Sequence, residues 1–169
     1  MRKFLKLLPA ISLAVAMLAP HPVAAAANAV TVVMTINGGG TALMYAGPGA
    51  GDKSVSSFGI HATLYSDGTA TGHVDCVDQH DDTASGNIFG AVTGWVRNAP
   101  DGVPDFLDGG VTLFVTGTLV AFGGGGGIDR TFKVTVQQAG GAGVGKWTLG
   151  PPESPFCIEV LLSGVIRES

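Results

Sequence analysis

An all-β chain is predicted, folded as a single antiparallel β sandwich or barrel of about seven to nine strands behind an amino-terminal leader. Three observations predict it. From position 28 onward no apolar stripe recurs at i, i+3, i+4, so amphipathic helices are not indicated. Short β-branched runs bounded by glycine and proline recur instead, roughly every dozen residues. With no helices available to carry parallel crossovers, neighbouring strands must run antiparallel.

The first 27 residues stand apart. Arg2, Lys3 and Lys6 form a basic start, positions 7–18 an apolar stretch, and positions 19–27 a small-residue tail broken by Pro20 and Pro22. This is the three-part layout of a cleaved secretory signal peptide. A membrane anchor would need roughly 20 apolar residues, whereas this run is interrupted by Pro9 and ended by Pro20. Cleavage after Ala26 or Ala27 leaves one domain, 28–169, secreted to the extracellular space or periplasm with no remaining membrane span.

The mature domain has 142 residues, enough for one core. Removing three of the nine basic residues leaves six against thirteen acidic ones, a formal charge of −7. Scattered cations in an acidic chain exclude a nucleic-acid partner, which requires a concentrated basic face.

Strands are expected over 29–36, 55–65, 69–78, 87–96, 111–122, 131–138, 146–149 and 156–166. The second and third form the best-determined unit. A two-residue Asp67-Gly68 loop would mix charged and apolar residues on one face. A three-residue loop, Ser66-Asp67-Gly68 with Gly68 left-handed, instead pairs Leu64 with Ala70, Ile60 with Val74 and Phe58 with Cys76. The opposite face then sets His61 across from His73, Thr63 across from Thr71 and Asp75 across from Gly59. The glycine run 123–127 and Gly140, Gly141, Gly143 and Gly145 read as hairpin connections, since neither has the lysine-serine ending or following helix of a phosphate loop.

Export places Cys76 and Cys157 in an oxidising compartment, where a disulfide between them is expected. Closing the 80 intervening residues would stabilise the fold by about 4 kcal/mol in the chain-entropy model. There is no C-x-x-C and no nearby cation to suggest a redox role.

Two metal sites come into consideration, for zinc or calcium, though nothing requires a cofactor. Directly opposed His61 and His73 have Cβ atoms roughly 5 Å apart, within reach of one divalent ion, and Asp75 could add an oxygen. His80, Asp78, Asp81 and Asp82 follow closely. The competing assignment is a solvated outer face followed by an acidic loop. The second is the segment 100–108, in which Asp101, Gly102, Pro104, Asp105 and Asp108 match the latter half of the calcium repeat D-x-D-x-D-G-x-P-D-x-x-D. Arg97 and Ala99 stand where its leading aspartates belong, and calcium wants six to eight oxygens, so a plain proline-bounded loop competes.

Nucleophilic catalysis has no G-x-S-x-G elbow to rest on. Of the glutamates, Glu153 falls in a loop, Glu168 at the terminus and only Glu159 in a strand, which is thin support for paired-carboxylate chemistry. A non-enzymatic binding or envelope module is therefore expected. Its partner would be an extracellular protein, a glycan or a small apolar ligand. A metal-dependent or cavity-using barrel enzyme is the competing class.

The order of segments G-H-V-x-x-x-D at 72–78, a V-x-G-x-V-like strand near Gly90 to Val96, V-T-G-T at 115–118, T-F-x-V-x-V at 131–136 and L-S-G-x-I at 162–166 resembles the post-COAP type of domain found in exported bacterial proteins. The closing Ser163-Gly164-Val165-Ile166 departs from that family's G-N-I-Q-like ending. The resemblance implies an antiparallel sandwich or barrel and carries no catalytic residues.

Overall fold

The computed structural model describes residues 29–46, 54–78, 86–98, 109–121, 127–150 and 155–169. The predicted leader and the glycine run lie outside them, apart from Gly127. Among the described residues nine strands appear in chain order: β1 (Val32–Ala46), β2 (Val55–Tyr65), β3 (Ala70–Asp78), β4 (Gly86–Arg97), β5 (Val111–Ala121), β6 (Ile128–Gln138), β7 (Gly140–Gly141), β8 (Lys146–Leu149) and β9 (Cys157–Glu168). No helix occurs among the described residues. Every pairing is antiparallel.

The order β1-β2-β3-β4-β5-β6-β8-β9 closes on itself through β1–β9 pairing. Of the two expected architectures, this is the barrel: eight strands in a ring, with β7 as a short addition against β9. Closure pairs most of the sheet edge, although among the described residues the short β8 covers only the Val134–Gln138 part of β6, and an eight-stranded ring is just wide enough for side chains to fill.

The β2–β3 hairpin has the predicted register throughout, from Leu64↔Ala70 to Phe58↔Cys76, with His61↔His73 on the other face. Its loop is also the predicted one. Gly68 sits at φ 84°, and the Asp67 carboxylate accepts from the Thr69 backbone N–H (3.0 Å) and hydroxyl (2.6 Å). These bonds hold the Asp67 carboxyl below its ordinary range.

β1 runs ten residues past its expected end at Ile36. The run Gly38-Gly39-Gly40 is the place where the barrel closes. Gly40 (φ 151°) pairs with Gly164 (φ 83°), and a Cβ on Gly164 would lie 1.9 Å from the Gly39 carbonyl oxygen. Only glycine allows β1 and β9 this approach. Register shifts between Thr41 and Ala42 and between Met44 and Ala46 bend the same seam, as strand closure requires.

Alternation along each strand puts apolar side chains inside. Ile36, Leu64, Leu113, Val115, Val134 and Ile166 are among those fully buried, each contributing on the order of 1.5–3 kcal/mol. The Phe58 and Trp147 rings meet within this core, centroids 5.6 Å apart. Outward positions on β2 and β3 such as Ser57, His61, Thr63, Thr71 and His73 are polar. No helix among the described residues is long and apolar enough to cross a membrane.

Candidate functional site

The inner face is apolar along most of its length and polar at one end. There β1, β2, β3 and β9 present Met44, Ser56, Cys76, Asp78, Cys157 and Glu159, with Ser54 immediately before β2, all buried. This is also the end at which β1 connects to β2, β3 to β4 and β8 to β9.

Glu159 is fully buried. It points inward because it shares the strand face of Cys157 and Leu161, and its register partners are Met44 on β1 and Trp147 on β8. The Ser56 hydroxyl donates to Oε2, and the Cys157 thiol donates to Oε1 over 3.5 Å. Ser56 reaches it across β1, where its own register partner is the small, fully buried Ala42. On its other side Ser56 pairs with Asp78 of β3.

Burial pushes the Glu159 carboxyl up to about 7. The two hydrogen bonds oppose that rise and the nearby Asp78 charge adds to it. A carboxyl in this state is poised to exchange a proton near neutral pH. Burial, and secondly the Glu159 charge, also drive both the Cys76 and Cys157 thiols well above their ordinary range, which makes them inert as nucleophiles.

The expected Cys76–Cys157 disulfide is absent: both thiols are free and buried. Cys76 belongs to β3 and Cys157 to β9, and β2 and β1 stand between those strands in the ring. Three inter-strand steps of about 4.8 Å place the backbones well beyond the roughly 7 Å a disulfide spans. The expectation rested on export to an oxidising compartment, but hydrogen bonding between β1 and β9 closes the barrel without a staple.

His61 and His73 occupy the directly opposed outer positions expected of them. Their rings engage other partners. His61 Nδ1 donates to Asn37 Oδ1 on β1 (2.5 Å), whereas His73 Nε2 donates to Asp75 Oδ1 along its own strand (2.6 Å). The side chains of His73 and Asp75 are 55% and 40% exposed. Among the described residues no group of three or more metal-ligating side chains assembles. Asp101, Asp105 and Asp108, with His80, Asp81 and Asp82, lie outside the described residues.

The polar end was the part that sequence reading missed, although one signal was present. In the segment Cys157-Ile158-Glu159-Val160-Leu161, period-two alternation sets a glutamate between a cysteine and a leucine on one face. A carboxylate on an otherwise core-facing stripe marks a buried acid. Ser56 had no comparable signal, because its role depends on strands brought together only by closure.

Comparison with protein-family models, with curated proteins and with solved structures finds no match to the chain.

Proposed function

We propose that this chain is exported and acts outside the cytoplasm as a non-enzymatic binding module that takes a small molecule at the polar end of its barrel. The observation that carries the reading is Glu159: a fully buried carboxyl, held by Ser56 and Cys157 and facing the charge of Asp78, inside a ring of strands that needs no polar group there. Buried carboxylates cost stability unless something compensates them, and convergent polar groups in an otherwise apolar interior are the usual anatomy of a ligand site. The apolar middle of the barrel then serves as a rigid wall. The resemblance to exported post-COAP-type domains is in keeping with this but assigns no residue a role.

Native mass spectrometry of untagged protein, exported and purified from its own secretion route, tests the reading. A non-covalent adduct that disappears in Glu159→Gln is the expected result. Protein that carries no adduct, and whose melting temperature no small molecule in a broad screen raises, would overturn it.

A second reading is favoured by the Glu159 carboxyl lying near 7. A group half-protonated at neutral pH can give and take a proton within one turnover, so a cavity-using enzyme with Glu159 as general acid–base is the alternative. Turnover of any screened compound, abolished in Glu159→Gln, would select it. Zinc held by His61 and His73 would have to coexist with the hydrogen bonds to Asn37 and Asp75, and elemental analysis of untagged protein after zinc supplementation checks that reading.

A further inference from the structure

Among the described residues, the barrel wall has a stretch with a neighbouring strand on only one side. β6 pairs with β5 from Ile128 to Val136, but β8 reaches only from Val134 to Gln138, and beyond it the Gly150 N–H donates to the Lys133 carbonyl (2.8 Å). Hydrogen bonds alternate along an antiparallel ladder, so Lys133 fixes the direction of its neighbours. Odd-numbered residues of this part of β6 turn their backbone groups toward the β8 side, even-numbered ones toward β5. The N–H and C=O of Asp129 and Thr131 therefore point to the open side, and no backbone bond among the described residues uses them. Asp129, Arg130 and Thr131 are exposed, and Ile128 is 52% exposed.

The side chains along this edge narrow what can pair with it. Ile128 lies opposite Leu119, Arg130 opposite Gly117 and Phe132 opposite Val115, so all three share the face that carries Val134 and Val136 into the core. Arg130 meets no side chain across β5, because a Cβ on Gly117 would lie 2.0 Å from the Phe89 carbonyl oxygen. Asp129, on the outer face, accepts from the Thr118 hydroxyl at 2.9 Å. The Arg130 guanidinium has no ion-pair or hydrogen-bond partner among the described residues.

A second copy of the chain is a poor occupant. Twofold antiparallel pairing must join odd-numbered residues, which centres it on Asp129, Arg130 or Thr131. The first two centres set like charges directly opposite each other, which destabilises a strand pair. The third needs the place opposite Lys133 that Gly150 already fills. An inward-pointing charge is a known guard against edge-to-edge self-pairing, and the same charge selects an opposite one.

We propose that the open side of β6 takes an extended segment of another protein, added as an antiparallel strand along 128–132, with an acidic residue opposite Arg130 between apolar residues opposite Ile128 and Phe132. Asp129 and Thr131 supply the main-chain hydrogen bonds that give such a strand its affinity, and the carboxylate on Arg130 supplies selectivity. The proposal does not depend on the small-molecule reading, since this edge belongs to β6 and the buried acid to β9.

Fluorescence anisotropy with a labelled peptide, Thr-Val-Thr-Glu-Thr-Val-Thr, tests it on the purified protein. The peptide is expected to bind at one site, at least about fivefold more tightly than its counterpart with lysine in place of glutamate. N-methylation of the two threonines flanking the glutamate removes the N–H groups aimed at β6 and should weaken binding at least about tenfold. N-methylation of the glutamate, whose N–H faces away, should change it less than about twofold. Arg130→Glu should reverse the preference to the lysine peptide, and Thr131→Pro, which a strand edge tolerates, should abolish binding. The peptide comparisons need no variant, so a substitution that fails to fold does not shelter the proposal. Hydrogen exchange should show the Asp129 and Thr131 amides open in the protein alone and slowed at least about tenfold by the peptide. No binding at millimolar peptide, equal binding of the glutamate and lysine peptides, or indifference to the flanking N-methyl groups would each overturn the proposal. So would amides already protected in the monomer, which would mean an edge filled from within the chain, or a dimer that Thr131→Pro dissociates, which would make the occupant a second copy.

Discussion

Ser56 and Glu159, 103 residues apart in the chain, meet inside the barrel, with the serine hydroxyl donating to the buried carboxyl of Glu159. The contact spans β1 and ties β2 to β9 across the seam at which the ring closes. Its energetics depend on pH, because burial raises the carboxyl from 4.5 to about 7.

The first prediction follows from linkage. The folded state holds a proton on Glu159 that the unfolded chain has released, so stability falls as pH rises between 4.5 and about 7. Above that window the loss amounts to about 3 kcal/mol for a shift of this size. Urea denaturation at pH 5 and pH 8 should show the difference, and Glu159→Gln should remove most of it.

Removing the donor should sharpen that dependence. Ser56→Ala deletes a hydrogen bond that favours the ionised carboxyl, so it should cost about 1–3 kcal/mol at pH 8 and less at pH 5. Equal losses at both pH values would show that the hydroxyl serves packing rather than the charge.

The seam glycines yield a graded series. Gly164→Ala places a Cβ 1.9 Å from the Gly39 carbonyl oxygen at positive φ and should destabilise by at least about 2 kcal/mol. Gly143→Ala, also at positive φ but with nothing within 4 Å, should cost only about 1 kcal/mol. Chemical denaturation of the two variants side by side measures the close approach itself.

The two thiols offer a direct check on the missing disulfide. Native protein should react slowly with a thiol reagent, and denatured protein should titrate as two thiols without prior reduction. Reductant should leave the melting temperature unchanged. A mobility difference between reduced and non-reduced samples would contradict the free-thiol structure.

Much of the β framework was legible in advance because it rests on local physics. Alternation between Phe58 and Cys76 gives an apolar face only with the three-residue loop, in which Gly68 takes the left-handed position, so that hairpin followed from residue order. The strands Val55–Tyr65 and Lys146–Leu149 came out at their expected bounds for similar reasons. The first strand was expected to end at Ile36, whereas its continuation through Gly38–Gly40 depends on a close approach to Gly164, a partner more than a hundred residues away.

By itself the sequence determined that the chain is all-β and antiparallel, and which face of its central hairpin turns inward, since turn chemistry and period-two patterning act between near neighbours. Tertiary structure alone decided that the strands close into a ring, that Cys76 and Cys157 stay apart, and that Ser56 and Glu159 come together. Those three outcomes share one cause: β1 pairs with β9 as well as β2, and the geometry of that closure sets which distant residues can touch.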